Sequence, residues 1–225
     1  MGERVVAITG GHGALGRAVV EAARVAGWTV AVIARTPARE PFEGVHDISG
    51  VDLTDPAQAK AAIEGVVARF GRLDALLNLA GGFVWRPVEG DGDEFDRMHA
   101  LNLKTTLNAS RAALPHLKAS AEGRIVNVGA NGAIKAGHGM GAYAASKAGV
   151  HRLTEALAEE LKSTSVTVNA VLPSIIDTAA NRADMPDADP SKWVAPADLA
   201  AVILFLASPE ARAVTGALIP VTGKV

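Results

Sequence analysis

Tyr143 and Lys147 stand four residues apart in AYAASKAGV, a stretch otherwise made of small side chains. On a helix that spacing puts both on one face. Tyr143 is the only tyrosine in the chain. A phenol with a reference pKa near ~10 is a poor base at neutral pH. A lysine cation ~4 Å away, at an effective dielectric of ~20, contributes up to about 4 kcal/mol before solvation costs. That is enough to lower the phenol by about two pKa units, toward the range useful for proton transfer. Surface helices also carry such pairs by chance, so a proton donor needs support from the rest of the chain.

The support starts at TGGHGALG, Thr9–Gly16. Glycines there sit where a first strand turns into a first helix. They let backbone N–H groups at Gly10, His12, Ala14, Leu15 and Gly16 approach a pyrophosphate at the helix N-terminus. The second strand ends VIARTPAR. An NAD-specific site places an acid there, on the ribose hydroxyls. The expected position is Ala34, followed by Arg35, whose planar fork can pair with a 2′-phosphate. Arg17 and His12 add positive charge nearby. The expected cofactor is therefore NADP(H) by preference, with NAD(H) also admitted.

The elements that must position these groups alternate along the chain. Apolar strands are expected at 4–10, 28–34, a short one ending in VDLTD (51–55), 73–82, 123–130, 166–173 and 217–222. Alanine-rich helices are expected at 14–27, 56–71, 94–119, 141–163 and 197–208, with Asp55 as a cap and Pro56 at a first helical position. The strands do not alternate in polarity, as expected when both faces are covered. Such a succession gives parallel βαβ units: an α/β, Rossmann-like, doubly wound parallel sheet in a single domain over 1–225. Residues 178–196 form the longest irregular stretch and are expected to be a mobile substrate loop.

Composition narrows the function classes. Of 225 residues, 49% are hydrophobic and 20% charged, with net charge −2, so neither nucleic acid nor an anionic membrane is an expected partner. No run of 18 apolar residues occurs, and MGERVVAITG has no signal-peptide order. There is no cysteine, which excludes disulfides and thiolate metal sites, and the six histidines are scattered, so no metal site is expected. These features fit a cytoplasmic protein acting on a small-molecule substrate. Helices 102–119 and 141–163 carry Ala and Leu on more faces than one core can cover, so a homodimer or homotetramer is expected.

Together these segments resemble the short-chain dehydrogenase/reductase family along nearly the whole chain. Y-A-A-S-K matches its Tyr-x-x-x-Lys, and TGGHGALG its cofactor turn, with Ala14 replacing a common glycine. The resemblance implies cofactor contacts at Asp52 and Leu53 in VDLTD, at Ala80 and Gly81 in NLAGG, and at Pro173, Ile176 and Thr178 in NAVLPSIIDT. It implies Tyr143 as proton donor, Lys147 also binding the nicotinamide ribose, and Asn102 supporting the lysine through a water. One departure stands out. The family's serine, 13 residues before the tyrosine, is here Ala130, with Asn131 the nearest substitute. GGHGALG, the missing serine, GHGMGAYAASKAGVHR and LPSIIDTAANRADMPDADPSKW are similar to the quinonoid dihydropteridine reductases within the family.

The expected activity is hydride transfer to a small electrophilic carbonyl, quinonoid or pterin-like substrate. A substrate that is already electron-poor does not need the missing hydroxyl. Phe83, Trp85, Met140 and Trp193 lie in loops at the same sheet end and could stack on a planar ring or simply pack the loops. The alternatives are a generic carbonyl reductase or alcohol dehydrogenase, and a non-catalytic NADP-binding regulator of the same fold.

Overall fold

The computed structural model describes residues 4–89 and 92–225. Its strands are β1 (Val5–Thr9), β2 (Thr29–Ala34), β3 (His46–Ser49), β4 (Ala75–Asn78), β5 (Arg124–Val128), β6 (Thr167–Pro173) and β7 (Leu218–Val221). They form one sheet in the order β3-β2-β1-β4-β5-β6-β7. Every pairing is parallel. The helices are α1 (Ala14–Val25), α2 (Pro56–Phe70), α3 (Asp93–Met98), α4 (Thr105–Ala119), α5 (Gly141–Glu160), α6 (Ala179–Asp184) and α7 (Pro196–Ala207).

Both sheet faces are covered, which is why the strands read as unbroken apolar runs. Val6 and Ile8 of β1, with Val30 and Val32 of β2, face α1 and α7. Val5 and Ala7, with Ala31 and Ile33, face the layer built from α2, α4 and α5. Each fully buried Leu, Ile or Val in these two layers contributes roughly 1.5–3 kcal/mol of transfer free energy. The order of the strands reverses between β1 and β4. Ligands in such sheets bind in the crevice beyond the carboxyl ends of the strands at that point.

Local chemistry sets the ends of the elements. The Asp55 carboxylate accepts the Ala57 N–H at 2.8 Å and Pro56 opens α2, while Gly71, at φ 75°, ends it. Three expectations need correction. VDLTD does not end a strand: β3 stops at Ser49, because Gly50 at φ 81° turns the chain and Asp52 then folds residues 52–55 into a turn by accepting Thr54 N–H and hydroxyl. The expected helix 94–119 is three pieces, with a π-helical turn, His99–Lys104, joining α3 to α4. The stretch 178–196 is not wholly irregular. Thr178 caps α6 by accepting the Asn181 N–H at 3.1 Å, and Pro190–Lys192 form a 3-10 turn.

Candidate active site

The turn after β1 is a cradle that a side chain would fill. Gly10 has φ 69°, and a Cβ there would lie 2.9 Å from Ala80 backbone atoms. A Cβ on Gly16 would meet the Gly10 carbonyl oxygen at 2.3 Å. Helix α1 starts at Ala14 with no side-chain cap at Gly13 and no acid in its first turn. Its first N–H groups, from Ala14, Leu15 and Gly16, are therefore available to an anion at the positive end of the helix. Thr9 ties this turn to the next strand, its hydroxyl accepting the Leu79 and Ala80 N–H groups at 3.1 Å each. These features fit a dinucleotide pyrophosphate.

At the ribose end, Ala34 is buried and Arg35 projects outward, its Nη2 3.2 Å from Asp52 Oδ2. Thr54 N–H and hydroxyl, then Arg35, hold the Asp52 carboxyl below the usual carboxylate range. Leu53 is buried, and its carbonyl accepts Asn108 Nδ2 at 2.9 Å, which fastens this segment to α4. Beside them lies a cavity of about 570 Å³ lined by His12, Arg17, Thr36, Pro37, Arg39 and Glu40. His12 Nδ1 lies 2.8 Å from the Thr36 carbonyl and Nε2 lies 3.0 Å from Asp47 Oδ2, so the ring is clamped at the rim. Arg17 lies over the Phe42 ring at 4.5 Å and reaches Glu40 at 3.6 Å. Two arginines, Arg17 and Arg39, against one glutamate leave this wall cationic. Arg39 was not singled out from sequence because it lies outside any motif.

Tyr143 and Lys147 sit in the first two turns of α5, as their spacing predicts. Lys147 is 7% exposed, and its Nζ donates to the Val128 carbonyl at 2.7 Å. A Cβ on Gly81 would come within 3.4 Å of this Nζ, so the glycine turn passes directly over the lysine. Phe83 meets the Tyr143 ring edge-on, centroids 4.9 Å apart. Burial pushes the Tyr143 phenol up to about 12 and the Lys147 ammonium down to about 8. The expected depression of the phenol by the lysine is not what this geometry gives: the shift is upward and its cause is desolvation. At neutral pH a phenol held at about 12 keeps its proton.

Asn102 is fully buried in the π-helical turn. Its Oδ1 accepts the Gly82 N–H at 2.8 Å, and its Nδ2 donates to the Gly82 carbonyl at 3.1 Å and to Ser146 Oγ at 2.9 Å. Its side chain thus clips the Gly81–Gly82 turn to α5. Its carbonyl accepts the Thr106 hydroxyl at 2.8 Å.

Pro173 closes β6, Ile176 bridges to Val194, and the Thr178 hydroxyl is engaged as the α6 cap. Ala130 is buried and begins a tight turn with Asn131, whose carbonyl accepts the Ile134 N–H at 3.0 Å. Of the four expected rim residues, Phe83 and Trp85 are exposed by 56% each. Trp85 lies 5.5 Å from the His138 ring, and Arg86 N–H donates to the Gly139 carbonyl at 2.7 Å, stapling the loops after β4 and β5. Met140 lies over Gly132. Trp193 is 7% exposed, so it offers no stacking face. Besides Arg39, sequence reasoning missed the Val128 carbonyl and His151. The histidine had a signal, since it follows Lys147 by one helical turn.

A family description, short chain dehydrogenase, matches residues 4–189. The chain is 34% identical over 195 residues to 3-oxoacyl-[acyl-carrier-protein] reductase FabG of Thermotoga maritima, covering 82% of this chain and 78% of that protein. It is 32% identical over 187 residues to 4-formylbenzenesulfonate dehydrogenase TsaC1/TsaC2 of Comamonas testosteroni, covering 76% and 74%. It superimposes on Thermoplasma acidophilum aldohexose dehydrogenase with a TM-score of 0.90 at 27% identity, covering 99% of this chain and 93% of that one. These names give reductases and dehydrogenases of carbonyl and sugar compounds, and none of the three names a pteridine.

Proposed function

This chain belongs to the short-chain dehydrogenase family and is an oxidoreductase, and within that family we propose that it is an NADPH-preferring reductase of a planar, electron-poor carbonyl or quinonoid compound, with Tyr143 as the proton donor. The carrying observation is the meeting of Lys147 and Tyr143 with the glycine turn at the sheet's switch point, where a Cβ on Gly81 would touch Asn102 and crowd Lys147.

Gly10, His12, Ala14, Leu15 and Gly16 would hold the pyrophosphate, Asp52 and Leu53 the adenine, Ala80 and Gly81 the backbone contacts beyond β4, and Pro173, Ile176 and Thr178 the nicotinamide end. The bound nicotinamide supplies the hydride. Tyr143 gives its phenolic proton to the substrate heteroatom that gains the electron pair, which leaves a phenolate. Lys147, one turn away, stabilises that phenolate as a cation, anchors the ribose, and is kept in place by the Val128 carbonyl. Solvent then returns the proton to Tyr143. Asn102 fixes the turn above the lysine and so sets where substrate and ring meet.

Cofactor preference rests on the cavity walled by Arg17 and Arg39, with His12 at its rim, together with Ala34 in the place of an acid. Arg35 adds to that field from its exposed pair with Asp52. Removing Arg17 and Arg39 together should weaken NADPH by tenfold or more, about 1.5–3 kcal/mol per charge-assisted bond, with NADH little changed. Native protein that binds NADH more tightly than NADPH would overturn the preference.

The substrate class rests on Ala130, which brings no hydroxyl to polarise a ketone, and on Phe83 and Trp85 at the mouth. Quinonoid dihydropterin is the first compound to try. The names of the relatives favour a second reading, a generic carbonyl reductase. A panel of simple ketones, aromatic aldehydes, quinones and quinonoid dihydropterin, followed by NADPH oxidation, separates the two. Efficient turnover of simple ketones alone would replace the first reading by the second. Among the described residues no helix is long and apolar enough to cross a membrane. Absence of cysteine supports a cytoplasmic setting. The outer faces of α4 and α5, with Leu107, Leu114, Ala145 and Leu153 only partly covered or exposed, support assembly into a homodimer or homotetramer.

A further inference from the structure

Helix α5 is stitched to the exit of β5 by three successive side chains. Thr154 Oγ1 accepts Asn127 Nδ2 at 2.9 Å, Lys147 Nζ donates to the Val128 carbonyl at 2.7 Å, and His151 Nε2 accepts the Ala130 N–H at 3.2 Å. The first is a core contact and the second belongs to the active site. The third is unexplained by either. His151 is 3% exposed, yet its polar edge is aimed at the turn that carries Ala130 and Asn131 past Tyr143. Close approach is built in, since a Cβ on Gly129 would stand 2.5 Å from His151 Nε2. Tyr143, Lys147 and His151 follow one another at four-residue steps, so all three point from α5 to the same end of β5.

We infer that His151 is a positioning residue for the reduction: as a neutral acceptor it holds the Ala130 N–H and thereby fixes the substrate-side turn relative to Tyr143 and Lys147. An acceptor at Nε2 requires the neutral ring to carry its proton on Nδ1. The surroundings favour the neutral ring, because burial first, then Arg152 and Lys147, lower the basicity of His151. Where a serine would stand at position 130 this chain has a methyl group, so the turn has no side-chain hydroxyl at Ala130 to anchor it. The histidine supplies the anchor from the helix side. Loss of the acceptor leaves a buried N–H unsatisfied and frees the turn, which moves the substrate wall while the glycine cradle, built from other strands, stays.

This inference rests on the reductase reading above, and the test keeps the two apart. His151→Phe keeps ring shape without an acceptor, and His151→Gln returns an acceptor near the Nε2 position. With NADPH and phenanthrenequinone as probe, His151→Phe should lower kcat by about tenfold or more while the NADPH Kd stays within about twofold, and His151→Gln should recover to within about threefold of native. Nitrogen-15 NMR of the native protein should show the Nδ1–H tautomer for His151 and slow exchange of the Ala130 amide. Equal kcat in the Phe and Gln variants, or an Nε2–H tautomer, overturns the assignment. No turnover by the native protein on any compound of the panel sinks the reductase reading instead. The tautomer and the Ala130 exchange rate then decide the contact by themselves, whether or not the Phe variant folds.

Discussion

Lys147, buried in the role proposed for it, should cost the fold stability. Burial lowers it from an ordinary 10.5 to about 8. At pH 7 the folded protein therefore holds a proton that the unfolded chain binds more tightly, by ~3 kcal/mol at 1.36 kcal/mol per unit. The sign follows from proton counts. Between about 8 and 10.5 the unfolded state binds more protons, so stability contributed by this group rises with pH through that window and is at its minimum below about 8. Lys147→Met keeps the length and apolar stem and removes the charge. It also leaves the Val128 carbonyl without its donor, a loss of ~1–2 kcal/mol. The net expectation at pH 7 is a gain of about 1–2 kcal/mol, or a Tm higher by roughly 2–8 °C for a chain of this size. Urea unfolding of both proteins at pH 7 and pH 10 checks this: native stability should rise between the two relative to the variant, and the variant should have lost nearly all turnover. A variant less stable than native at pH 7, with the same pH slope, would refute the buried-cation argument.

Other outcomes follow from the same geometry. Asn102→Ala removes three hydrogen bonds around Gly82 and Ser146 and should reduce kcat by about tenfold or more with a smaller loss of stability, read from kinetics and urea titration side by side. Gly16→Ala forces a methyl group against the Gly10 carbonyl and should abolish dinucleotide binding by calorimetry, with the rest of the sheet retained by circular dichroism. Light scattering at micromolar concentration should give the mass of a dimer or tetramer; a monomer mass would remove the assembly proposal.

Much of the fold was legible because its signals are local. The apolar runs at 4–10, 28–34 and 166–173 became β1, β2 and β6, and the cap at Asp55–Pro56 opened α2. Misplacement occurred where one residue overrode a pattern. Gly50 stopped β3 before the apolar pair at Val51 and Leu53, and the π-helical turn at His99–Lys104 has the same apolar period as the helices it joins. At the candidate site, sequence spacing placed Tyr143 and Lys147 on one helix but could not weigh desolvation against charge. That balance depends on Phe83 and on the depth of α5, both set by tertiary packing. His151, and the role of Val128 through its carbonyl, come from β5 meeting α5, a contact with no motif of its own. Trp193 looked like a rim residue because it lies in a loop at the same sheet end; folding buries it.

The central claim is that Tyr143 hands a proton to a substrate receiving hydride. Its most direct test is single-turnover oxidation of bound NADPH by native protein and by Tyr143→Phe, followed by nicotinamide absorbance with phenanthrenequinone or quinonoid dihydropterin. The account predicts that the Phe variant binds NADPH as tightly as native, because the ring still packs on Phe83, while the rate of oxidation falls by about a hundredfold or more. A Phe variant that oxidises NADPH at the native rate would contradict it.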